Sequence, residues 1–124
     1  MIIKSRFVED STATIRARIT ALPTDVDGVP LVQADFDTIE LFAYSNGELV
    51  NGFNGVNLDP AEVIYDELQP WEIDDVGFNF KYSISPNAFP TGNVVGQVLV
   101  KFTTTAGEVD HVEFKGRIQN VLSS

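Results

Sequence analysis

The sequence contains no cysteine and only one histidine, His111, among its 124 residues. Disulfide bonds, thiolate metal sites and a cysteine nucleophile are therefore excluded, and a zinc site is nearly excluded with them. A hydrolytic triad would need His111 as its base, but no Gly-x-Ser-x-Gly turn accompanies it. The Gly-rich segment 51–55 predicts turns, and no helix follows it to bind a phosphate. We therefore expect no catalytic residue, no metal and no cofactor.

Basic residues are also scarce, with 8 Lys and Arg against 18 Asp and Glu and a formal net charge of −10. Segment 19–80 contains no Lys or Arg but 13 of the acids. Because phosphate-binding surfaces are usually basic, we expect contact neither with nucleic acid nor with anionic membranes. The acidic segment has two interpretations: a solvated surface that aids solubility, or a patch that attracts a basic partner.

Long apolar runs are absent, and no stretch approaches the ~20 residues needed to span a bilayer. Residues 1–4 lack the features of a signal peptide, so we expect the chain to fold where it is made. The length is that of one domain, and the hydrophobic fraction of 44% is sufficient for one core. We therefore predict a single domain over residues 1–124.

Alternation of apolar and polar residues dominates the pattern and predicts β-strands. The clearest strand spans 12–20, and its inward face is formed by Ala13, Ile15, Ala17 and Ile19. Further strands are predicted at 37–44, 48–53, 78–83, 94–103 and 108–118. Asn46-Gly47 and Asn54-Gly55 predict turns between them. Roughly seven or eight evenly spaced strands indicate an all-β sandwich or barrel.

Four segments need a closer interpretation. Segment 37–44 is apolar on both faces, which predicts a central strand or one covered on both sides. Segment 58–70 allows a helical turn at Pro60 capped by Asp59, or a short strand at 63–66, which we favour because Val and Ile prefer pleated sheets. Residues 71–75 then predict a corner. The next strand should place Phe78, Phe80 and Tyr82 together on the core face.

Segment 71–80, the Phe-Pro-Thr-Gly motif at 89–92, and the closing segments 98–103 and 107–114 follow a recurrent layout. Together with the Thr-Ala-Thr-Ile opening strand, this layout resembles the immunoglobulin-like domains of tailed-phage virion proteins, such as the N-terminal domain of baseplate upper proteins. The likeness covers about residues 10 to 120. Asp74 and Gly77 match the family's Asp-x-x-Gly-Tyr corner, with Phe78 in the tyrosine position.

The resemblance implies a single immunoglobulin-like antiparallel β-sandwich with a non-enzymatic, structural role in a virion. Such a protein would be made in the host cytoplasm and built into the neck, tail, baseplate or head decoration. Its partners would be other virion proteins in a symmetric multi-copy assembly. We expect the contacts to involve strand edges and loops such as 21–30 and 86–92.

Four residues are candidates for these contacts: Phe89, Trp71, Asp25 and Asp27. Phe89 lies in a polar loop, where it is either an apolar anchor for a partner or a residue that covers its own core. The spacing of Asp25 and Asp27 resembles the start of a calcium-binding loop, but Phe36 occupies the position of the bidentate Glu. The two aspartates therefore either belong to an ordinary turn or form a weak calcium site.

Trp71 stands beside three acids, Glu72, Asp74 and Asp75. The group either belongs to core and corner structure or forms a sugar site, with an aromatic platform and hydrogen-bonding carboxylates. A glycosidase is disfavoured because so small a sandwich would lack a cleft. The competing functional hypothesis is therefore a binding module for a glycan or a cell-surface ligand.

Overall fold

A computed structural model describes residues 2–20, 29–72 and 74–119 of the chain. These residues form nine β-strands, one short α-helix and two 3-10 turns. The strands are β1 (Ile2–Lys4), β2 (Phe7–Val8), β3 (Ala13–Ala17), β4 (Phe36–Ser45), β5 (Glu48–Asn57), β6 (Ile64–Trp71), β7 (Asp74–Ile84), β8 (Val95–Thr104) and β9 (Val109–Gln119). The helix α1 spans Pro60–Val63, and the 3-10 turns span Gln33–Asp35 and Pro86–Ala88. The predicted all-β class is confirmed, and the short strands β1 and β2 are additions to the predicted set.

The strands form two sheets. The larger has the order β1-β9-β8-β4-β5, with β2 also paired to β9, and the smaller has the order β3-β7-β6. Strands β1 and β2 run parallel to β9, and the other pairs are antiparallel. This arrangement is that of an immunoglobulin domain, in which the second, fourth and fifth core strands share one sheet and the two closing strands share the other. The predicted immunoglobulin-like sandwich is therefore confirmed.

The core lies between the two sheets and is built from the inward residues of both. Phe80 of the small sheet meets Phe102 of the large sheet edge to face, with ring centroids 5.2 Å apart. The strand predicted at 12–20 has the expected inward face, because Ala13, Ile15, Ala17 and Ile19 are all buried. Strand β4 is central, between β8 and β5, and Glu40, Phe42 and Tyr44 on its outer face are half-buried.

The β4–β5 hairpin turns at Asn46 and Gly47, as predicted, and both residues have positive φ angles of 53° and 81°. The second predicted turn, at Asn54-Gly55, is wrong. Strand β5 continues through it and pairs with β4 as far as Asn57. Gly55 has a φ of 80° and lies where the β4–β5 register shifts, so its conformational freedom serves a bulge in the strand.

Segment 58–70 contains both of the predicted alternatives in succession. The Asp59 carboxylate accepts a hydrogen bond from the Ala61 amide at 3.0 Å and caps helix α1. Strand β6 begins immediately afterwards at Ile64 and extends to Trp71. The predicted corner at 71–75 is wrong, because Trp71 pairs with Asp74 in a tight β6–β7 hairpin.

The match to the tyrosine-corner motif is also corrected by the structure. Gly77 and Phe78 lie within β7, whereas the corner of the immunoglobulin fold immediately precedes the strand that corresponds to β8. Gly77 has a φ of 113°, and a Cβ there would collide with the Gln69 carbonyl oxygen. The glycine thus serves the close approach of β7 to β6.

The predicted face of β7 is partly wrong. Phe80 and Tyr82 contact the core, but Phe78 lies outside the core cluster and packs against Tyr65 and Trp71. Asn79 alternates with these aromatic residues and would be expected to face the solvent, but it is buried. Its Oδ1 accepts a hydrogen bond from the Ile19 amide, and its Nδ2 donates to the Ile19 and Leu31 carbonyls. The reason is physical: β3 ends at Ala17, and the Asn79 amide satisfies backbone groups that strand pairing no longer satisfies.

Candidate interaction surface

A shallow depression of about 610 Å³ lies on the face of the small sheet that points away from the core. We call it the Trp71 groove, and it is lined by Arg16, Tyr65, Gln69, Pro70, Trp71, Glu72, Phe78 and Lys81. Strand β6 and its hairpin to β7 supply one wall, and β3 and the middle of β7 supply the other. Of the sequence candidates, Trp71 and Glu72 lie here, while the side chains of Asp74 and Asp75 are outside the described part of the chain.

Aromatic contacts fix the shape of the groove. The Phe78 ring meets Tyr65 edge to face at 5.8 Å and Trp71 at 6.1 Å between centroids. Phe78 is only 7% exposed, while Trp71 and Tyr65 stay half-buried and present part of their rings to the solvent. Half-exposed Trp and Tyr rings held by a buried neighbour are suited to contact a partner, because little side-chain entropy remains to be lost on binding.

Two cations border these rings. The guanidinium of Arg16 lies 5.5 Å from the centre of the Phe78 ring, a cation–π distance. Arg16 and Lys81 are also direct cross-strand neighbours on β3 and β7, an arrangement that is unfavourable for like charges. Neither forms a salt bridge to any residue that the structure describes. The groove therefore combines aromatic surface with two cations that form no salt bridge to a described residue and with one acid, Glu72, in a protein whose net charge is −10.

A second depression, of about 520 Å³, lies between the β4–β5 hairpin and the loop 86–92. The loop contributes Asn87, Pro90 and Thr91, which are exposed. The hairpin contributes Leu49, a large hydrophobic residue that is 42% exposed. The loop that the sequence indicated for partner contact is thus accessible through its polar and proline residues.

Phe89, the candidate anchor in the same loop, is not available for a partner. Its side chain is only 1% exposed and stacks on Phe7 of β2, with ring centroids 4.6 Å apart. The Phe89 carbonyl also accepts a hydrogen bond from the Asp10 amide at 3.0 Å. The second alternative, that Phe89 covers its own core, is therefore correct. Its partner strand β2 has only two residues, too few for a periodic signal in the sequence.

The structure places none of the remaining sequence candidates in either depression. Asp25 and Asp27 lie outside the described residues, and so does most of the loop 21–30. His111 is exposed on β9 opposite Lys101. Within the ranges 2–20, 29–72 and 74–119, the structure contains no group of three or more His, Asp or Glu that could hold a metal ion. None of the helices in those ranges has the length and apolar character needed to cross a lipid bilayer.

Sequence reasoning identified Trp71 but missed Arg16, Lys81, Tyr65 and Phe78 as its neighbours. Arg16 and Lys81 each alternate along the sequence with the predicted inward residues of a strand, which places each of them on an outward face. Their meeting depends on the pairing of β3 with β7, which local alternation does not reveal. Comparison of the chain with protein-family models and with curated protein sequences finds no match.

Proposed function

We propose that this protein is a non-enzymatic structural component of a tailed-phage virion that holds its place through contacts with neighbouring subunits. Its immunoglobulin-like sandwich is the fold that the sequence resemblance implies. The proposed partners are other virion proteins in a symmetric multi-copy assembly, in the neck, tail, baseplate or head decoration. From that role we infer that the chain is made in the host cytoplasm and is then located in the virion.

The observation that carries the proposal is the Trp71 groove. Trp, Tyr and Arg are the residues most enriched among those that dominate the binding energy of protein interfaces. Trp71, Tyr65 and Arg16 lie together here on one face of a sheet. Their arrangement offers a rigid contact surface, which suits a module that binds a partner.

The distribution of charge supports the same role. The groove carries two cations, Arg16 and Lys81, and one acid, Glu72, while further exposed acids are spread over β4, β5, α1 and β6, at Asp37, Glu48, Glu62, Asp66 and Glu67. A surface divided in this way orients a molecule relative to its neighbours, because opposite charges attract and like charges repel during encounter. Orientation is what a subunit in a symmetric assembly requires.

The test is incorporation into particles. Particles produced by the phage or prophage that encodes the chain would be purified on a density gradient, and the chain measured in them by mass spectrometry. We expect the chain to co-purify at a fixed ratio to the major structural proteins. Trp71→Ala should reduce incorporation several-fold, while Trp71→Phe, the matched control, should retain most of it. Particles that contain none of the chain would overturn the proposal.

A second candidate function is a binding module for a glycan, and the half-exposed ring of Trp71 favours it. Sugars stack on such rings while neighbouring polar groups bind their hydroxyls, and Glu72 and Gln69 flank Trp71 in the groove. A glycan array probed with the purified chain separates the two functions. Binding of a defined glycan that is lost in Trp71→Ala would support the glycan module. An array without signal, together with normal incorporation into particles, would support the virion role.

A further inference from the structure

Within the described part of the chain, β3 is an edge strand and lacks the neighbour that an immunoglobulin domain places beside it. It ends the small sheet, in the order β3-β7-β6. In an immunoglobulin domain the first strand pairs with this edge, but here β1 and β2 both pair with β9. Residues 13–17 form no hydrogen bond on the outer side of β3 to any described residue. An edge of this kind presents a row of backbone donors and acceptors to any extended segment that reaches it.

The edge of β3 is also the most regular of the long sheet edges. Its pairing with β7 runs from Ala13 to Ala17 without a register shift. The edge strands β5 and β6 both contain register shifts, and Pro70 lies near the end of β6. Shifts and prolines obstruct the addition of another strand. Of these three edges, β3 is therefore the one best suited to accept a strand.

A depression of about 290 Å³ runs beside this edge, between β3 and the segment that carries β1 and β2. We call it the basic seam, and it is lined by Ile3, Lys4, Ser5, Arg6, Phe7, Thr14, Ile15, Arg16, Trp71 and Phe114. Phe7, Ile15 and Phe114 are buried and form an apolar floor. The seam adjoins the Trp71 groove, because Arg16 and Trp71 line both.

Positive charge is concentrated around the seam. Lys4, Arg6 and Arg16 line it, Lys115 is the cross-strand partner of Lys4, and Lys81 is that of Arg16. These five residues belong to a total of 8 Lys and Arg in the chain. None of the five has a salt bridge to a residue within the described ranges. Two pairs of like charges on neighbouring strands are unfavourable by themselves, and an anionic occupant would neutralise them.

We propose that the basic seam accepts an extended acidic segment of a partner protein, which adds a strand to the edge of β3. Alternate apolar side chains of that segment would pack over the half-buried Ile3 beside the apolar floor. The acidic side chains between them would lie against Arg16 and the neighbouring bases. Main-chain hydrogen bonds to β3 supply affinity in this mode of recognition, and the alternating side chains supply specificity.

The occupant is a partner of different sequence and not a second copy of this chain. Two copies that paired through β3 about a two-fold axis would bring their Arg16 side chains into the same neighbourhood, which like charge disfavours. This inference specifies a contact surface of the proposed virion component and in that respect rests on the proposed function. The binding of a peptide to the seam is measured on the isolated chain and does not require the virion role.

The experiment uses a synthetic seven-residue peptide in which Val and Glu alternate, and the fluorescence of Trp71, the sole tryptophan and a residue of the seam. We expect saturable binding that weakens with salt, and no binding of the matched peptide in which Lys replaces Glu. Arg16→Glu should weaken binding by about tenfold or more, and Arg16→Lys should retain most of it. Melting curves of both variants establish that they are folded, and isothermal calorimetry supplies a second readout.

Two N-methylated peptides test strand addition itself. One carries methyl groups on the odd-numbered amides and the other on the even-numbered amides, so each removes the donors along one edge of the extended peptide. We expect one of them to lose at least about tenfold in affinity while the other binds like the parent, because only one edge faces β3. Equal affinities of the two methylated peptides would indicate that only charge attracts the peptide and that no strand is added to β3, which would overturn the proposal.

Two further results would also overturn it. Failure of the Val-Glu peptide to bind would do so directly. A dimer of the chain alone, seen by sedimentation and dissociated by Arg16→Glu, would make a second copy the occupant. Measuring incorporation into particles separates failure of the peptide-binding proposal from failure of the proposed function. A chain that is incorporated normally but does not bind the peptide would keep its proposed virion role, and only the proposed role of the basic seam would be wrong.

Discussion

Replacing Phe80 with Ala should destabilise the domain more than any change on the outer faces of the sheets. The Phe80 side chain is 0% exposed and stands where the two sheets meet. Its ring lies edge to face with Phe102, and its backbone pairs with Ala17 on one side and Ile64 on the other. Since β7 is the central strand of the small sheet, the surrounding side chains have little freedom to fill the space that the ring would leave.

The expected loss is about 3–5 kcal/mol in the free energy of unfolding, the range found when a buried Phe is truncated to Ala. Domains of this size are stabilised by about 5–15 kcal/mol in total, so the loss is a large share. At roughly 3–5 °C per kcal/mol for a domain of this length, the melting temperature should fall by about 10–25 °C. Urea titration followed by far-ultraviolet circular dichroism measures the free energy, and calorimetry measures the melting temperature.

Phe42→Ala is the matched control. Phe42 is also an aromatic residue on a central strand, but it lies on the outer face of β4 and is only half-buried. We expect its truncation to cost less than half as much as that of Phe80. Equal losses for the two variants, or a Phe80→Ala protein that melts within a degree or two of the parent, would refute the assignment of the core face.

Three other substitutions test particular contacts. Asn79→Ala should cost about 2–4 kcal/mol in urea titration, because the buried Ile19 amide loses its acceptor and the Ile19 and Leu31 carbonyls each lose a donor, whereas exposed Asn87→Ala should change stability by less than about 0.5 kcal/mol. Gly77→Ala should lower the melting temperature far more than Gly47→Ala: both have positive φ, but only at Gly77 would a Cβ meet a backbone carbonyl. Phe89→Ser should lose stability by thermal melting, and a variant that folds normally but fails to enter particles would restore Phe89 as an interface residue.

The parts of the fold that the sequence predicted are those controlled by local alternation. Ile15, Ala17 and Phe80 could be assigned to the core because a strand with one buried face repeats every second residue. The Asn46-Gly47 turn could be placed because its backbone angles suit few other residue pairs. Such features depend on neighbours within a few positions along the chain.

The errors arise where distant segments decide the local structure. Asn54-Gly55 has the composition of a turn, but continued pairing with β4 makes it a bulge. Phe78 leaves the face predicted for it because its environment is formed by β6 and by Arg16 of β3. Phe89 enters the core because its ring stacks on that of Phe7, which is 82 positions away in the sequence (89 − 7).

The candidate site divides in the same way. Trp71 was identified from its residue type and its neighbouring acids, since a Trp beside polar groups is a common feature of binding surfaces. The sequence could not predict that two cations border Trp71, because Arg16 and Lys81 become neighbours only when β3 pairs with β7. The sequence also could not predict that no described strand lies on the outer side of β3, because β1 and β2 are too short to predict and their pairing with β9 is long-range.

Zero-length carbodiimide cross-linking of purified particles, followed by mass spectrometry, tests the central claim most directly. The reagent joins a lysine amine to a carboxylate only when the two are already in contact. Lys4 and Lys81 border the basic seam and the Trp71 groove, while Lys101 lies on β8 in the middle of the other sheet and serves as the internal control. We predict that this chain is present in the particles and is linked through Lys4 or Lys81 to carboxylates of other virion proteins. Particles that lack the chain, or links from Lys101 alone, would contradict the account.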